Sequence, residues 1–178
     1  MTSVPAVNLV TEREEFYEVS RKDFAKRYRD FEPAAAEVVF NILQTYNALF
    51  NRLAPKIQRF GLTLPGFNVL AILRSHSAKR CSLSRLSDLL LVSRANITGL
   101  IDSLARKGLV QRIDHEKDRR ICLARITSQG EKLLETYCPV HYKETRLMFA
   151  ALSDREKKTL SVILSKLRHS IEGTGESR

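Results

Sequence analysis

Residues 81–110 read CSLSRLSDLLLVSRANITGLIDSLARKGLV, and the spacing within this stretch decides the fold. Ser82 favours an N-cap, and behind it Leu83, Leu86, Leu89 and Leu90 form an apolar face at helical spacing. Ser93 repeats the arrangement with Ile97, Leu100, Ile101 and Leu104. Only a few residues around Val92 separate the two runs. Two short helices joined so tightly predict a helix-turn-helix. Arg106 and Lys107 then precede Gly108, which is how a helix C-terminus reads.

Toward the C-terminus the period changes. LVQRI at 109–113 and ICLARI at 121–126 are short strand-like runs, and the fully polar DHEKDRR lies between them. This predicts a two-stranded hairpin with a charged tip. Thr127 opens a helix that runs through Leu133 and Leu134 toward Met148 and Leu152. Ser153-x-x-Glu156 is a capping box for a last helix carrying Leu160, Ile163, Leu164, Leu167 and Ile171, with Gly173 and Gly175 at its end. Toward the N-terminus, Thr63 can cap a helix with Pro65 in its first turn and Phe67, Leu70, Ile72 and Leu73 facing inward. Before it a long helix begins near Pro33 and ends around Gly61. Val39, Ile42, Leu43, Tyr46, Leu49, Phe50 and Leu53 form one stripe along it. In residues 1–30, Thr11-x-x-Glu14 and Ser20-x-x-Asp23 each resemble the start of a short helix.

The expected fold is therefore mainly α with a small β-hairpin wing, a winged helix-turn-helix on a helical dimerisation scaffold. Its segments are an N-terminal extension (1–32), a dimerisation helix (33–62), the winged lobe (63–127) and C-terminal dimerisation helices (128–178). The small central lobe cannot cover both apolar terminal helices, so a homodimer is expected.

Apolar residues make up 43% of the 178, ample for a core, and the formal charge is +10. No run approaches the roughly 18 apolar residues that a membrane helix needs. The N-terminus turns acidic too soon for a signal peptide. A soluble, cytoplasmic protein with no membrane partner is expected. Between Arg74 and Arg120 there are 11 Lys or Arg and 5 Asp or Glu, so this quarter of the chain carries +6 of the +10. That lopsided charge points to double-stranded DNA as partner.

The second helix of the motif is narrow enough to enter a major groove, where each base pair shows a distinct edge. Nearest its N-terminus stand Ser93, Arg94, Ala95, Asn96, Thr98 and Gly99. Arg can read guanine and Asn adenine through paired hydrogen bonds. Ser93 and the first backbone N–H groups suit a phosphate. Ala95 and Gly99 are small enough to let the helix sit close to the bases. At the hairpin tip, Arg119 or Arg120 could enter the minor groove, while Asp118 more naturally orients an arginine than faces DNA.

LTLPGFNVLAIL, SRANITGLIDSLARKGLVQR and DRRICLARITSQG resemble the MarR family of bacterial regulators. The resemblance covers about 140 residues from Pro33 and is specific over the middle 70 or so. It implies a homodimer with interleaved terminal helices on a palindromic operator, and repression relieved by a small aromatic or phenolic ligand or by cysteine oxidation. On that pattern Asp118-x-Arg120 is the wing motif, Arg120 the minor-groove finger, and Ser82 touches phosphate. The family's ligand pocket maps onto Tyr46, Asn47, Phe50, Phe67 and His76, although each of these aromatics also reads as ordinary core packing. Two departures stand out. Residues 1–32 are longer than the usual start, and Gly99 stands where many members carry a larger polar residue.

Cys81, Cys122 and Cys138 form no C-x-x-C pair and read as buried or half-buried thiols. None lies near the start of the chain, where peroxide-sensing relatives place theirs. His76, His115, His141 and His169 have no metal-ligand spacing, and no nucleophile stands beside a base. No metal, cofactor or enzymatic activity is expected. The competing reading is a winged-helix adaptor that binds protein instead of DNA, which the basic segment disfavours.

Overall fold

The computed structural model describes residues 23–114 and 121–173. The elements in order are α1 (Pro33–Gln58), α2 (Leu64–Ser75), β1 (Arg80–Ser82), α3 (Leu83–Leu90), α4 (Arg94–Arg106), β2 (Val110–Asp114), β3 (Cys122–Ile126), α5 (Ser128–Met148) and α6 (Asp154–Gly173). The chain divides into two units, one ending at Phe50 and the other beginning at Asn51. The Thr11 and most of the Ser20 helix signals lie outside the described residues.

In the first unit, a short helical stretch at 23–27 leads into an aromatic group. Phe24 packs edge-on against Tyr28 and Phe31, with ring centroids 5.8 and 6.0 Å apart. No residue between 23 and 50 is buried. Val38, Val39, Ile42, Leu43, Tyr46 and Phe50 of α1 are all exposed.

The second unit holds the core. Ile57, Leu70, Leu73, Leu86, Ile97, Ile101, Leu134 and Tyr137, drawn from the end of α1 and from α2 to α5, are almost fully buried. Hydroxyl caps start its helices as the sequence predicts. Thr63 accepts from the Gly66 N–H at 3.2 Å, Ser82 from Arg85 at 3.2 Å, Ser93 from Asn96 at 3.2 Å and Thr127 from Gly130 at 3.1 Å. Ser153 and Glu156 form the reciprocal box: the Ser153 N–H donates to the carboxylate at 2.7 Å and the Glu156 N–H donates to the hydroxyl at 3.3 Å. α6 buries none of its residues.

The wing differs from the two-stranded expectation. Its sheet has three antiparallel strands in the order β1-β3-β2. Arg80 pairs with Arg125 and Ser82 with Leu123 on one side, Val110 with Ile126 and Asp114 with Cys122 on the other. β1 is only three residues long, too short to show an alternation, and its partner follows some forty residues later. Only the fold brings them together.

The turn of the helix-turn-helix ends α3 with Leu91 in the left-handed region (φ 53°, ψ 43°). The N–H of Val92 donates to the Ser87 carbonyl at 3.1 Å, and that of Leu91 to Asp88 at 3.3 Å. The buried Ser87 hydroxyl closes the turn by donating to the Val92 carbonyl at 2.8 Å. A leucine here costs about 1 kcal/mol against glycine, which takes a positive φ freely.

The end of α1 is tied to α5 by charge. The nearly buried Glu144 accepts from Lys56 at 2.8 Å and from Arg52 at 3.2 Å. The Lys56 hydrogen bond chiefly holds its pKa below the usual carboxylate range, burial opposes this, and both positive charges assist.

Two outcomes follow from these contacts. In urea unfolding, Ser87→Ala should lose about 1–2 kcal/mol and Leu91→Gly should gain about 0.5–1 kcal/mol, each read as a midpoint shift. Because the native pKa of Glu144 is lowered, its stabilisation is complete above the ordinary carboxylate value. It is lost as pH falls through the native value. Thermal melts between pH 7 and pH 3 should therefore fall more steeply for wild type than for Glu144→Gln.

Candidate nucleic-acid interface

α4 is fixed in rotation by what it buries. Ile97, Ile101 and Leu104 point into the core. At about 100° per residue, Ala95, Gly99, Asp102 and Arg106 come round to the opposite side. Ser93, Arg94, Ala95, Asn96 and Gly99 are exposed and Thr98 is half-buried. No other described residue engages the Arg94 guanidinium or the Asn96 amide. Ser93 spends its oxygen on the Asn96 N–H, and the first-turn N–H groups of Arg94 and Ala95 have no intrahelical acceptor. A helix start with open N–H groups, a hydroxyl and an arginine favours an anion.

Ser82 is half-buried where β1 passes into α3, and its neighbour Arg85 is exposed. The two wing strands span Val110–Asp114 and Cys122–Ile126. Asp118, Arg119 and Arg120 lie outside the described residues.

One pair on this face was not anticipated. Arg112 of β2 donates to Asp102 of α4 at 2.8 Å, with the side chains 40% and 45% exposed. Left alone, Asp102 would place a negative charge on the outward face, one turn from Gly99. The bridge neutralises it and links the helix to the wing. Such an exposed pair adds only about 0–1 kcal/mol of stability, so its weight falls on the field at this face. Ten residues separate the two in sequence, and only the return of β2 onto α4 reveals the pair.

The proposed ligand-site residues fall in different settings. Tyr46 and Phe50 stack at 6.0 Å in the first unit, where Tyr46 is 58% exposed and Asn47 is also exposed. In the second unit, Phe67 is 5% exposed, its ring centroid 5.1 Å from that of Tyr137 and 4.6 Å from that of His141. His76 is exposed at the other end of α2, about 13 Å along the helix from Phe67, so the fold does not bring these two together. Tyr137 and His141, whose i, i+4 spacing is readable in the sequence, are the neighbours of Phe67 that sequence reasoning missed. Burial lowers the pKa of His141. It raises that of the Cys81 thiol against the opposing charge of Arg85. Among the described residues, no three His, Cys, Asp or Glu gather as a metal site, and no helix is long and apolar enough to cross a membrane.

A family model described as the MarR family matches residues 62–122, from just before α2 to the first residue of β3. YpoP of Bacillus subtilis, an uncharacterized HTH-type transcriptional regulator, is 34% identical over 104 residues, spanning 57% of this chain and 70% of its own. This chain belongs to the MarR family. The HTH-type transcriptional repressor YetL of the same organism is 27% identical over 145 residues, 82% of this chain and 87% of its own. Among solved structures, Sco3205 of Streptomyces coelicolor, a MarR family regulator in complex with DNA, superposes with a TM-score of 0.74 at 21% identity. It covers 79% of this chain and 89% of its own. That likeness establishes the winged-helix fold. These relatives are named regulators, and the family is not one of enzymes.

If the Asp102–Arg112 bridge acts through charge, Arg112→Ala should weaken duplex binding more than Arg112→Ala combined with Asp102→Asn. Fluorescence anisotropy at several salt concentrations measures the difference, which should shrink as salt screens the exposed carboxylate.

Proposed function

We propose that this protein is a sequence-specific DNA-binding transcriptional regulator, a repressor, that binds a palindromic operator as a homodimer and is released by a small aromatic or phenolic ligand. The observation that carries this reading is the outward face of α4. Arg94 and Asn96 are free to reach base edges, and the helix start beneath them is open to phosphate. Ser82 at the start of α3 serves as a second phosphate anchor. The wing adds Arg119 and Arg120, with Arg120 in the minor groove and Asp118 orienting it. YetL's name as a repressor and the DNA in the Sco3205 crystal support carrying this function over.

Dimerisation is supported by apolar surface that a single chain leaves in water. Val38, Val39, Ile42 and Leu43 on α1 and Val162, Ile163 and Ile171 on α6 are exposed. Seven such side chains are more than a monomer leaves open without cause. A second copy related by a two-fold axis would cover them and set two α4 helices one DNA turn apart, about 34 Å. Residues 33–62 and 128–178 are then the dimerisation helices around the lobe at 63–127, with 1–32 as an extension. A small ligand would release DNA by favouring dimers with the wrong spacing.

Gel shifts on an operator selected from a random pool test the reading. Arg94→Ala and Asn96→Ala should each cost about 1–3 kcal/mol on the operator and far less on random duplex. Equal losses on both would remove base readout. Arg120→Ala should weaken binding most at sites with narrow, A/T-rich flanks. Affinity should fall steeply with salt as counterions are released, whereas an adaptor without DNA binding would show no duplex affinity to lose. Sedimentation equilibrium should give a dimer that Ile42→Lys with Ile163→Lys splits.

A further inference from the structure

Over the first two turns of α4 the polar side chains flank the centre of the outward face, and Asp102 and Arg106 enter it only further along the helix. Ala95 and Gly99 lie opposite the buried Ile97, Ile101 and Leu104. Arg94 and Thr98 fall to one side and Asn96 and Ser103 to the other. Gly99 is the informative position. It stands inside the helix with an ordinary backbone conformation, and a Cβ built on it meets nothing within 4 Å. Neither the backbone nor the packing of the described residues requires a glycine, yet a glycine within a helix lowers stability.

Thr98 adds a second, independent constraint. Its hydroxyl donates to the Arg94 carbonyl at 2.9 Å, so its proton is already committed to the helix. Without breaking that bond it offers its γ-methyl and an acceptor lone pair, but no donor. The centre of these two turns therefore presents the Ala95 methyl and the bare Cα of Gly99, with the Thr98 methyl at their edge. None of these three positions supplies a free donor to read N7 or O6 of a purine. Of the groups that base pairs display in the major groove, one is read by apolar contact alone, the C5-methyl of thymine.

We propose that the base opposite Ala95, Thr98 and Gly99 in each half-site is a thymine recognised through its 5-methyl group, with the missing side chain of Gly99 leaving the room it occupies. The inference deepens the DNA-binding reading above and rests on it. Arg94 and Asn96 fix the hydrogen-bonded bases to either side, while the centre measures shape. A larger polar residue at 99 would hold the helix away and exchange this contact for a hydrogen bond.

The test uses the full-length protein and the duplex it selects from a randomised pool. Each thymine of that duplex is replaced in turn by deoxyuridine, which removes only the methyl group. One position per half-site should lose about three- to fivefold in affinity, the scale of one buried methyl group, and the other positions should change less than twofold. Gly99→Leu should melt at or above the wild-type temperature, because leucine favours the helix. It should lose at least about tenfold on the thymine operator and lose the deoxyuridine sensitivity with it. A scan flat within twofold, or a Gly99→Leu variant with wild-type affinity and the same sensitive thymine, overturns the proposal while leaving DNA binding intact. A protein that retains no duplex at low salt overturns the DNA-binding reading itself, and the proposal falls with it.

Discussion

Burial of Ile97, Ile101 and Leu104 sets the rotation of α4, and everything on its outer face depends on that rotation. Each such side chain contributes about 1.5–3 kcal/mol when removed from water, so the three together far outweigh an exposed ion pair at about 0–1 kcal/mol. The core therefore decides which residues face outward, and electrostatics only conditions them. Turning the helix by one residue would bury Asn96 or Thr98 and leave an isoleucine in solvent. Arg94, Ala95, Asn96 and Gly99 are presented because they are the residues left over once the core is satisfied.

The connections around this helix hold it with little slack. Ser87 uses its hydroxyl to close the turn before α4, and Ser93 caps the helix start. At the other end, Gly108 takes a φ of 69° and lets the chain reverse into β2. Thr127 donates to the Gly108 carbonyl at 2.7 Å while capping α5. Beside it, a side chain at Gly130 would come within 2.4 Å of the Leu109 carbonyl, so the base of the wing sits directly on α5. The wing and the recognition helix are thus anchored to one core, and the Arg112–Asp102 bridge joins them again at the surface. The exposed leucine at 91 shows that the turn geometry is imposed by its neighbours, because leucine does not prefer that conformation.

Charge plays a different part on each side of the protein. On the α4 side, basic residues stand exposed and Asp102, the one acidic residue of α4, is paired. Between α1 and α5, Glu144 is nearly buried and shared by two cations, a contact whose loss would strand charge out of water. The first kind of charge can attract a polyanion. The second holds the end of α1 to α5, and the two roles follow from exposure alone.

The sequence by itself determined the order of helices, their caps and their inward faces, because spacing and hydroxyl caps are local properties. Thr63, Ser82, Ser93, Thr127 and Ser153 each start a helix where the sequence places one. The likeness to regulators was legible for the same reason, since two capped amphipathic runs around a tight turn are rare by chance. Tertiary structure alone decided β1, whose three residues pair with a strand some forty residues away. It also decided the Asp102–Arg112 bridge, the placement of Phe67 against Tyr137 and His141, and the room around Gly99. Each of these depends on distances between segments remote in sequence, and such distances exist only after the core has closed.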